Sequence, residues 1–307
     1  MRHLAFFLAL VPAAAQVTVT AVSDRVTIDI DGKPFSALFV GASVKKPYLH
    51  PLRAASGTVV SRMFPMEAVD GESRDHPHHR GLWFTHGDVN GIDFWIEGEQ
   101  PKHGKIVLKK IAEVKSGKKS GSLTALFDWN TQKGETLLSE TRRMVFHSHP
   151  TLRLIDVDIT LSPRGKVVFG DTKEGTFAIR LAEPLTEKKG TAHMISADGK
   201  TGMKEVWGKR APWVDYNGKI GDEPLGVAIF DHPTNPKHPT YWHARDYGLF
   251  AANPFGEHDF YNDKTRNGSL TLEPGVPVRF RYRVVIHPGD EKTAGIAELY
   301  KKFASEK

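Results

Sequence analysis

The sequence predicts an all-β protein, a large antiparallel β-sandwich with a short C-terminal helix. Three observations carry that expectation. Short apolar runs alternate with period two, turn residues separate them at fairly even spacing, and 28 Gly and 19 Pro supply many turns. Residues 17–30 alternate through Val17, Val19, Val26, Ile28 and Ile30. Asp31-Gly32 then leads into a second apolar run, 34–40, and a D-G step between two such runs predicts a hairpin. The stretch 106–113 is expected to pair with 122–129 across a Ser/Gly/Lys turn. Strands are also predicted at 142–146, 152–161, 176–181, 225–230, 247–252, 268–272 and 277–287. Near the end, Ala294, Ile296, Ala297, Leu299, Tyr300 and Phe303 form a helical apolar stripe that would pack on the sandwich edge.

The first fifteen residues read differently. Arg2 and His3 precede an apolar run from Leu4 to Val11, and Ala13-Ala14-Ala15 supplies small residues for cleavage. Residues 1–15 are therefore read as a signal peptide and 16–307 as a single domain, exported to the periplasm or beyond. The run is too short to span a bilayer as a helix, and no later segment is long enough either, so no membrane partner is expected.

Composition excludes several function classes. The chain has 307 residues, 39% hydrophobic and 25% charged, which is globular rather than disordered. Zero cysteine excludes disulfides, thiolate nucleophiles, Cys-ligated zinc and lipid anchoring. The net charge of +6 is mild. Lys109, Lys110, Lys115, Lys118 and Lys119 lie along one hairpin without interleaved aromatics, so nucleic acid is not an expected partner. No phosphate-binding glycine loop and no Gly-x-Ser-x-Gly elbow occurs.

The fifteen histidines are uneven. His76, His78, His79 and His86 lie in one segment with Arg80, Trp83, Asp88, Asn90 and Trp95. His232, His238, His243 and His258 lie in a second, with Trp242, Arg245, Asn253 and Glu257. Both segments are rich in Gly, Pro, Asp and Asn and read as long loops leaving strands, where a rigid sheet mounts its site. Their mixture suits a sugar: an aromatic face stacks on the C–H surface of the ring while Asp, Asn, His and Arg hold its hydroxyls. Lys173-Glu174, just before a strand, is a further candidate pair. The Lys204–Tyr216 segment, with Trp207 and Trp213, reads mainly as structural packing. His-Pro pairs, as at His76 and His232, also serve turns.

On this reading the catalytic candidates are His78, His79, Arg80, His86, Glu174, His243 and Glu257. The substrate-binding candidates are Trp83, Asp88, Asn90, Trp95, Lys173, Trp242, Arg245, Asn253 and His258. No cofactor is required. The rival is a divalent transition metal held by His76, His78, His79 and His86, although the spacing fits neither a helix-borne His-Glu-x-x-His nor a cupin pattern.

The run Asp75-His76-Pro77-His78-His79-Arg80-Gly81-Leu82-Trp83 carries a resemblance, as do Trp207-Gly208-Lys209-Arg210-Ala211-Pro212-Trp213, Arg245-Asp246-Tyr247-Gly248 and Asn253-Pro254-Phe255-Gly256. Together they resemble a bacterial family of exported proteins labelled "methane oxygenase PmoA", across nearly the whole mature chain. That label belongs to a membrane protein with several spans, whereas this chain has no segment able to span a membrane as a helix. The resemblance implies a galactose-mutarotase-like β-sandwich and a carbohydrate or glycoside ligand. By position, Arg80 with His79 or His78 would hold the sugar, His243 or Glu174 would sit centrally, and Glu257 would come late. The function implied is a carbohydrate-active enzyme using His/Glu acid–base chemistry, with a metal-dependent oxygenase and a non-catalytic carbohydrate-binding protein as alternatives.

Overall fold

The computed structural model describes residues 16–306. The expected signal peptide, residues 1–15, lies outside the described residues.

Two eight-stranded, antiparallel sheets make the architecture. The first opens with β1 (Val17–Ala21), β2 (Arg25–Ile30), β3 (Lys33–Phe39), β4 (Tyr48–His50) and β5 (Leu82–His86). It continues through β11 (Gly175–Arg180), β16 (Leu249–Asn253) and β15 (Tyr241–Ala244), in the order β1-β2-β3-β4-β5-β11-β16-β15. The second contains β6 (Lys105–Lys115), β7 (Ser120–Asn130), β8 (Thr136–His147) and β9 (Arg153–Pro163). With them run β12 (His193–Ser196), β13 (Trp213–Ile220), β14 (Glu223–Asp231) and β18 (Val278–Pro288). Their order is β12-β13-β14-β18-β9-β8-β7-β6. A small pair joins β10 (Val167–Phe169) to β17 (Leu270–Leu272). Short helices α1 (Gly202–Val206) and α2 (Glu257–Phe260) lie in connections, and α3 (Ile296–Ala304) ends the chain.

The all-β sandwich and the C-terminal helix are as the sequence predicts. The D-G hairpin forms between β2 and β3, with Asp31 at φ 55° and Gly32 at φ 74°, the left-handed pair such a tight turn needs. The 106–113 and 122–129 runs pair as expected, Ile106 opposite Trp129, within longer strands.

Alternation places the core. On β9, Ile155, Val157, Ile159 and Leu161 face inward, and on β2 so do Val26, Ile28 and Ile30. Both sets join one apolar cluster between the sheets. Helix α3 covers the outer face of the second sheet with Ile296 and Phe303 against Phe230 and Val285. The outer face of the first sheet is covered differently, by loops and aromatic side chains around Trp83 and Trp95. Its strands β5, β11 and β16, and the edge strand β15, are therefore buried on both faces. The two histidine segments, expected as long loops, contain three of these elements: β5, β15 and α2. Among the described residues no helix is long and apolar enough to cross a membrane.

Candidate functional site

The outer face of the first sheet is built from alternate residues of its central strands. On β5, Leu82 and Phe84 point to the core and Trp83 to the outside. Trp83 lies opposite Tyr48 of β4 and Ala178 of β11, and Ala178 lies opposite Ala251 of β16. The two alanines leave room beside the indole for whatever packs over it. What packs there is the Asp75–Arg80 turn.

That turn is held by two buried arginines. The Arg62 guanidinium donates to Asp75 at 2.6 Å and to the His76 carbonyl at 2.9 Å. Arg180, at the end of β11, donates to the same carboxylate at 2.8 Å and to Nδ1 of His79 at 3.3 Å. Burial alone would raise the Asp75 pKa, but Arg180, His76 and Arg62 bring it down to about 2. Gly81 then lets the chain enter β5. Its φ is +52°, and an added Cβ would lie 2.0 Å from the Leu49 carbonyl oxygen, so only glycine fits.

The result is a column of four rings. Tyr247 stacks on His76 at 5.3 Å, His76 on His79 at 4.8 Å, and His79 on Trp83 at 5.4 Å. His78 meets His76 and His79 edge-on, and Trp95 meets His79 and Trp83 edge-on. A second charged group sits beside the column. Lys46, fully buried, donates to the Trp95 carbonyl at 2.6 Å and lies 3.3 Å from Glu97. Glu97 also takes Nε of Arg80, at 2.8 and 2.9 Å. Burial lowers Lys46 to about 8.

His78, His79 and His243 are uncharged at neutral pH. Burial, then nearby cations, pushes His78 to about 3 and His79 well below its ordinary value. His243, on β15, is pushed to about 3 by burial, and its Nδ1 donates to the Lys173 carbonyl at 2.7 Å. That bond leaves Nε2 of the neutral ring as an acceptor. In His79, the Arg180 bond to Nδ1 places the proton on Nε2, a buried donor without a partner. Trp83 Nε1, Trp95 Nε1, Trp207 Nε1, Arg180 Nε and Arg245 Nε are likewise buried and unpartnered. Unsatisfied buried donors are costly, and crowding on one face marks it as built for something other than packing.

The face opens near Tyr247. Arg180 lies 4.6 Å and Arg245 5.5 Å from its ring centroid, and Arg245 also covers the Trp207 ring at 5.9 Å. Burial raises the phenol's pKa, and Glu174 acts in the same direction against both arginines. Lys173 pairs with Glu174 at 3.2 Å. A cavity of about 290 Å³ adjoins the Tyr247 end of the column, with Ser73, Asp75, His76, Thr186 and Lys188 among its walls.

The structure thus gathers His78, His79, Arg80, Trp83 and Trp95 in one layer, with Arg245 over the Tyr247 ring, Glu174 within its field, and Lys173 and His243 linked to that group through Glu174 and the Lys173 carbonyl. It does not bring the other predicted residues into that group. His86 points into the core, where Nε2 donates to the Gly170 carbonyl at 2.8 Å and the ring packs on Phe169 and Phe255. Trp242 also points inward, donating to the Ala211 carbonyl at 2.9 Å. Asp88 accepts from the Gly91 N–H and Asn90 from the Val168 N–H, which shapes a turn. Asn253 and His258 tie the 171–174 loop in place, through the Thr172 carbonyl and the Asp171 carboxylate. Glu257 begins α2, in the field of Lys237 and Tyr241 rather than Tyr247. Trp83 is in the layer, but His79 covers the face expected to stack on a sugar.

The four histidines considered as metal ligands do not converge either. His76 and His79 lie face to face, which keeps their in-plane lone pairs parallel, and His86 is on the other side of the sheet. Among the described residues, no group of three or more His, Asp or Glu is placed to hold a metal ion.

Sequence reasoning missed Lys46, Arg62, Glu97, Arg180 and Tyr247, and it assigned Trp207 to packing. Only the Arg-Asp-Tyr-Gly run around Tyr247 carried a visible signal.

The family model for "Family of unknown function (DUF6807)" matches residues 25–301. The chain belongs to that family. No curated protein matches. Among solved structures, this DUF6807 chain is similar to an α-galactosidase from Lactobacillus brevis, with 10% identity and a TM-score of 0.46. That match covers 96% of this chain and 44% of the other, so the chain spans less than half of that protein. It is also similar to a galactose mutarotase-like protein from Clostridium acetobutylicum, with 9% identity, 89% and 98% coverage and a TM-score of 0.42. A galactose mutarotase-related enzyme from Lactobacillus acidophilus matches at 8% identity, 88% and 97% coverage and a TM-score of 0.36.

Proposed function

We propose that this DUF6807 protein binds a carbohydrate at the Tyr247 end of the ring column and acts on it by acid–base chemistry. The observation that carries this reading is the cavity. Its volume, about 290 Å³, is at the small end of ligand pockets, which run roughly 300–1,000 Å³. Two aromatic rings, two carboxylates, two ammonium groups and the hydroxyls of Ser73 and Thr186 share its wall, which is the mixture a pyranose ring requires. The half-buried Trp207 beside Arg245 offers the ring that Trp83 does not.

In this reading Glu174 is the proton acceptor and the Tyr247 phenol the donor. The phenol stays protonated near neutral pH because burial raises its pKa. The buried histidines, being neutral, position and hydrogen-bond rather than carry the proton. The non-catalytic alternative and the acid–base reading separate in one experiment. Glycan-array binding finds the ligand, and NMR of that ligand with the protein follows turnover. Glu174→Gln and Tyr247→Phe should lower the rate by about 10²–10⁴ while a complex still forms. Binding with no turnover in the wild-type protein would overturn the catalytic part, and no binding to any glycan would overturn the whole.

Two further proposals rest on sequence alone. Residues 1–15 support export, testable by finding the N-terminus of the mature protein at Gln16. The motifs quoted above support PmoA-like kinship. A metal-dependent reaction under that label would be recognised by stoichiometric transition metal in the purified protein and by loss of activity in chelator.

A further inference from the structure

The charges around the column do not balance. Asp75 serves two buried cations, Arg62 and Arg180. Glu97 also serves two, Lys46 and Arg80. Among the described residues Arg245 has no carboxylate within ion-pair distance and no side-chain hydrogen bond, although its Nε is buried. Of the other nearby acids, Glu174 is matched by Lys173 and Glu183 by Lys189. Glu72, which accepts from the N–H groups of Met63 and Phe64, offsets part of the Arg62 charge, and Asp93 part of that of Lys46, so among the described residues the cation left without a carboxylate is Arg245. Asp246, next along the chain, forms no ion pair with Arg245, which faces Tyr247 and Trp207 instead. The histidines add no charge when neutral, and they add no negative charge in any state.

Burying cations in excess of carboxylates is unfavourable unless something offsets it. Burial draws Lys46 down to about 8 and Arg62 to about 10, which shows how incompletely these cations are compensated. Two guanidiniums, Arg180 and Arg245, lie over the ring of Tyr247, which itself lines the cavity. A planar guanidinium with free N–H groups is suited to an anion that presents two oxygens side by side, as a carboxylate or a sulfate ester does.

We infer that the carbohydrate bound here is an acidic one, carrying a carboxylate or a sulfate that Arg245 and Arg180 hold beside Tyr247. The inference rests on the carbohydrate reading above and narrows it. The acidic group anchors the sugar, and the end of the ring column then meets the uncharged part of the ligand.

The test compares matched oligosaccharides on the intact protein: uronate-containing, sulfated and neutral parents of the same linkage. At physiological salt the better acidic series should bind about tenfold or more tighter than its neutral parent, a preference that weakens with added salt. Tighter binding of the uronates marks the carboxylate as the group recognised, and of the sulfated series, the sulfate. In Arg245→Gln the acidic-to-neutral ratio should fall towards one. In a Lys118→Gln, Lys119→Gln control on the exposed β6–β7 hairpin it should persist. Equal binding of acidic and neutral sugars would overturn the inference and leave the carbohydrate reading standing. So would equal loss of preference in the hairpin control, which would mean attraction to a generally basic surface. Absence of binding to every sugar overturns both. If Arg245→Gln does not fold, the salt dependence of the wild-type ratio decides: a ratio unchanged from low to high salt refutes the inference.

Discussion

Acid should unfold this protein through its buried histidines. Burial is the leading reason that His50 and His86 fall to about 4 and His78 and His243 to about 3, against an ordinary value of 6.5. At pH 5.5 the unfolded chain protonates all four, while the folded chain keeps them neutral. The unfolded state then binds more protons, so stability rises with pH through this window and falls on acidification. One pH unit below the ordinary value costs about 1.4 kcal/mol per histidine, or about 5 kcal/mol for four. That is a large share of a typical stability of about 5–15 kcal/mol.

Two groups act differently. Burial would lower His287, but Asp215 outweighs it and holds the pKa up. Its contribution is complete below 6.5 and is lost as pH rises through the folded value, so it offsets at most one proton. Asp75, brought to about 2, contributes above its unfolded value of 3.8 and loses that contribution only as pH falls towards 2, below the window. Urea unfolding followed by tryptophan fluorescence between pH 7.5 and 5.5 should show a net uptake of about four protons, from these four sites and His79 less the offset of His287. His86→Phe should remove about one of them, because its ring already packs on Phe169 and Phe255. An unfolding free energy that stays flat or rises as pH falls would refute the burial argument.

Other outcomes follow from single contacts. Trp83→Ala should destabilise by about 3–5 kcal/mol in urea unfolding, since the ring is buried under His79 and Trp95. Trp207→Ala should cost little stability and weaken glycan binding about tenfold. The reverse pattern, with Trp83 important for binding and Trp207 silent, would move the site. Gly81→Ala should cost about 4 kcal/mol or more, because its Cβ strikes the Leu49 carbonyl. Gly91→Ala, also at positive φ but in open space, should cost only about 1 kcal/mol, so comparing their melting temperatures separates the clash from the backbone strain.

Strand β9 of the second sheet was legible because one of its faces meets the core and the other does not. Leu152 to Leu161 alternates in sequence, and β9 alternates in burial. Strands β5 and β15 were not legible for the opposite reason. Leu82 to His86 is buried on both faces, so no polar face marks its period, and Thr85 and His86 look like loop residues. The same blindness hid which way the side chains point. Trp83 and Trp242 look alike in sequence, yet one lies on the outer face and the other fills the core.

The amino-acid sequence by itself determined the all-β class, the hairpin at Asp31-Gly32, the terminal helix and the segment that carries the histidine turn, because these depend on local period and turn chemistry. Only the tertiary structure decided the site. Arg62, Asp75, Arg180 and Tyr247 are spread over 185 positions from Arg62 to Tyr247, and they meet because β11 pairs with β5 on one side and with β16 on the other. Strand order, which no local pattern encodes, turned a cluster of histidines into a column of stacked rings beside buried cations.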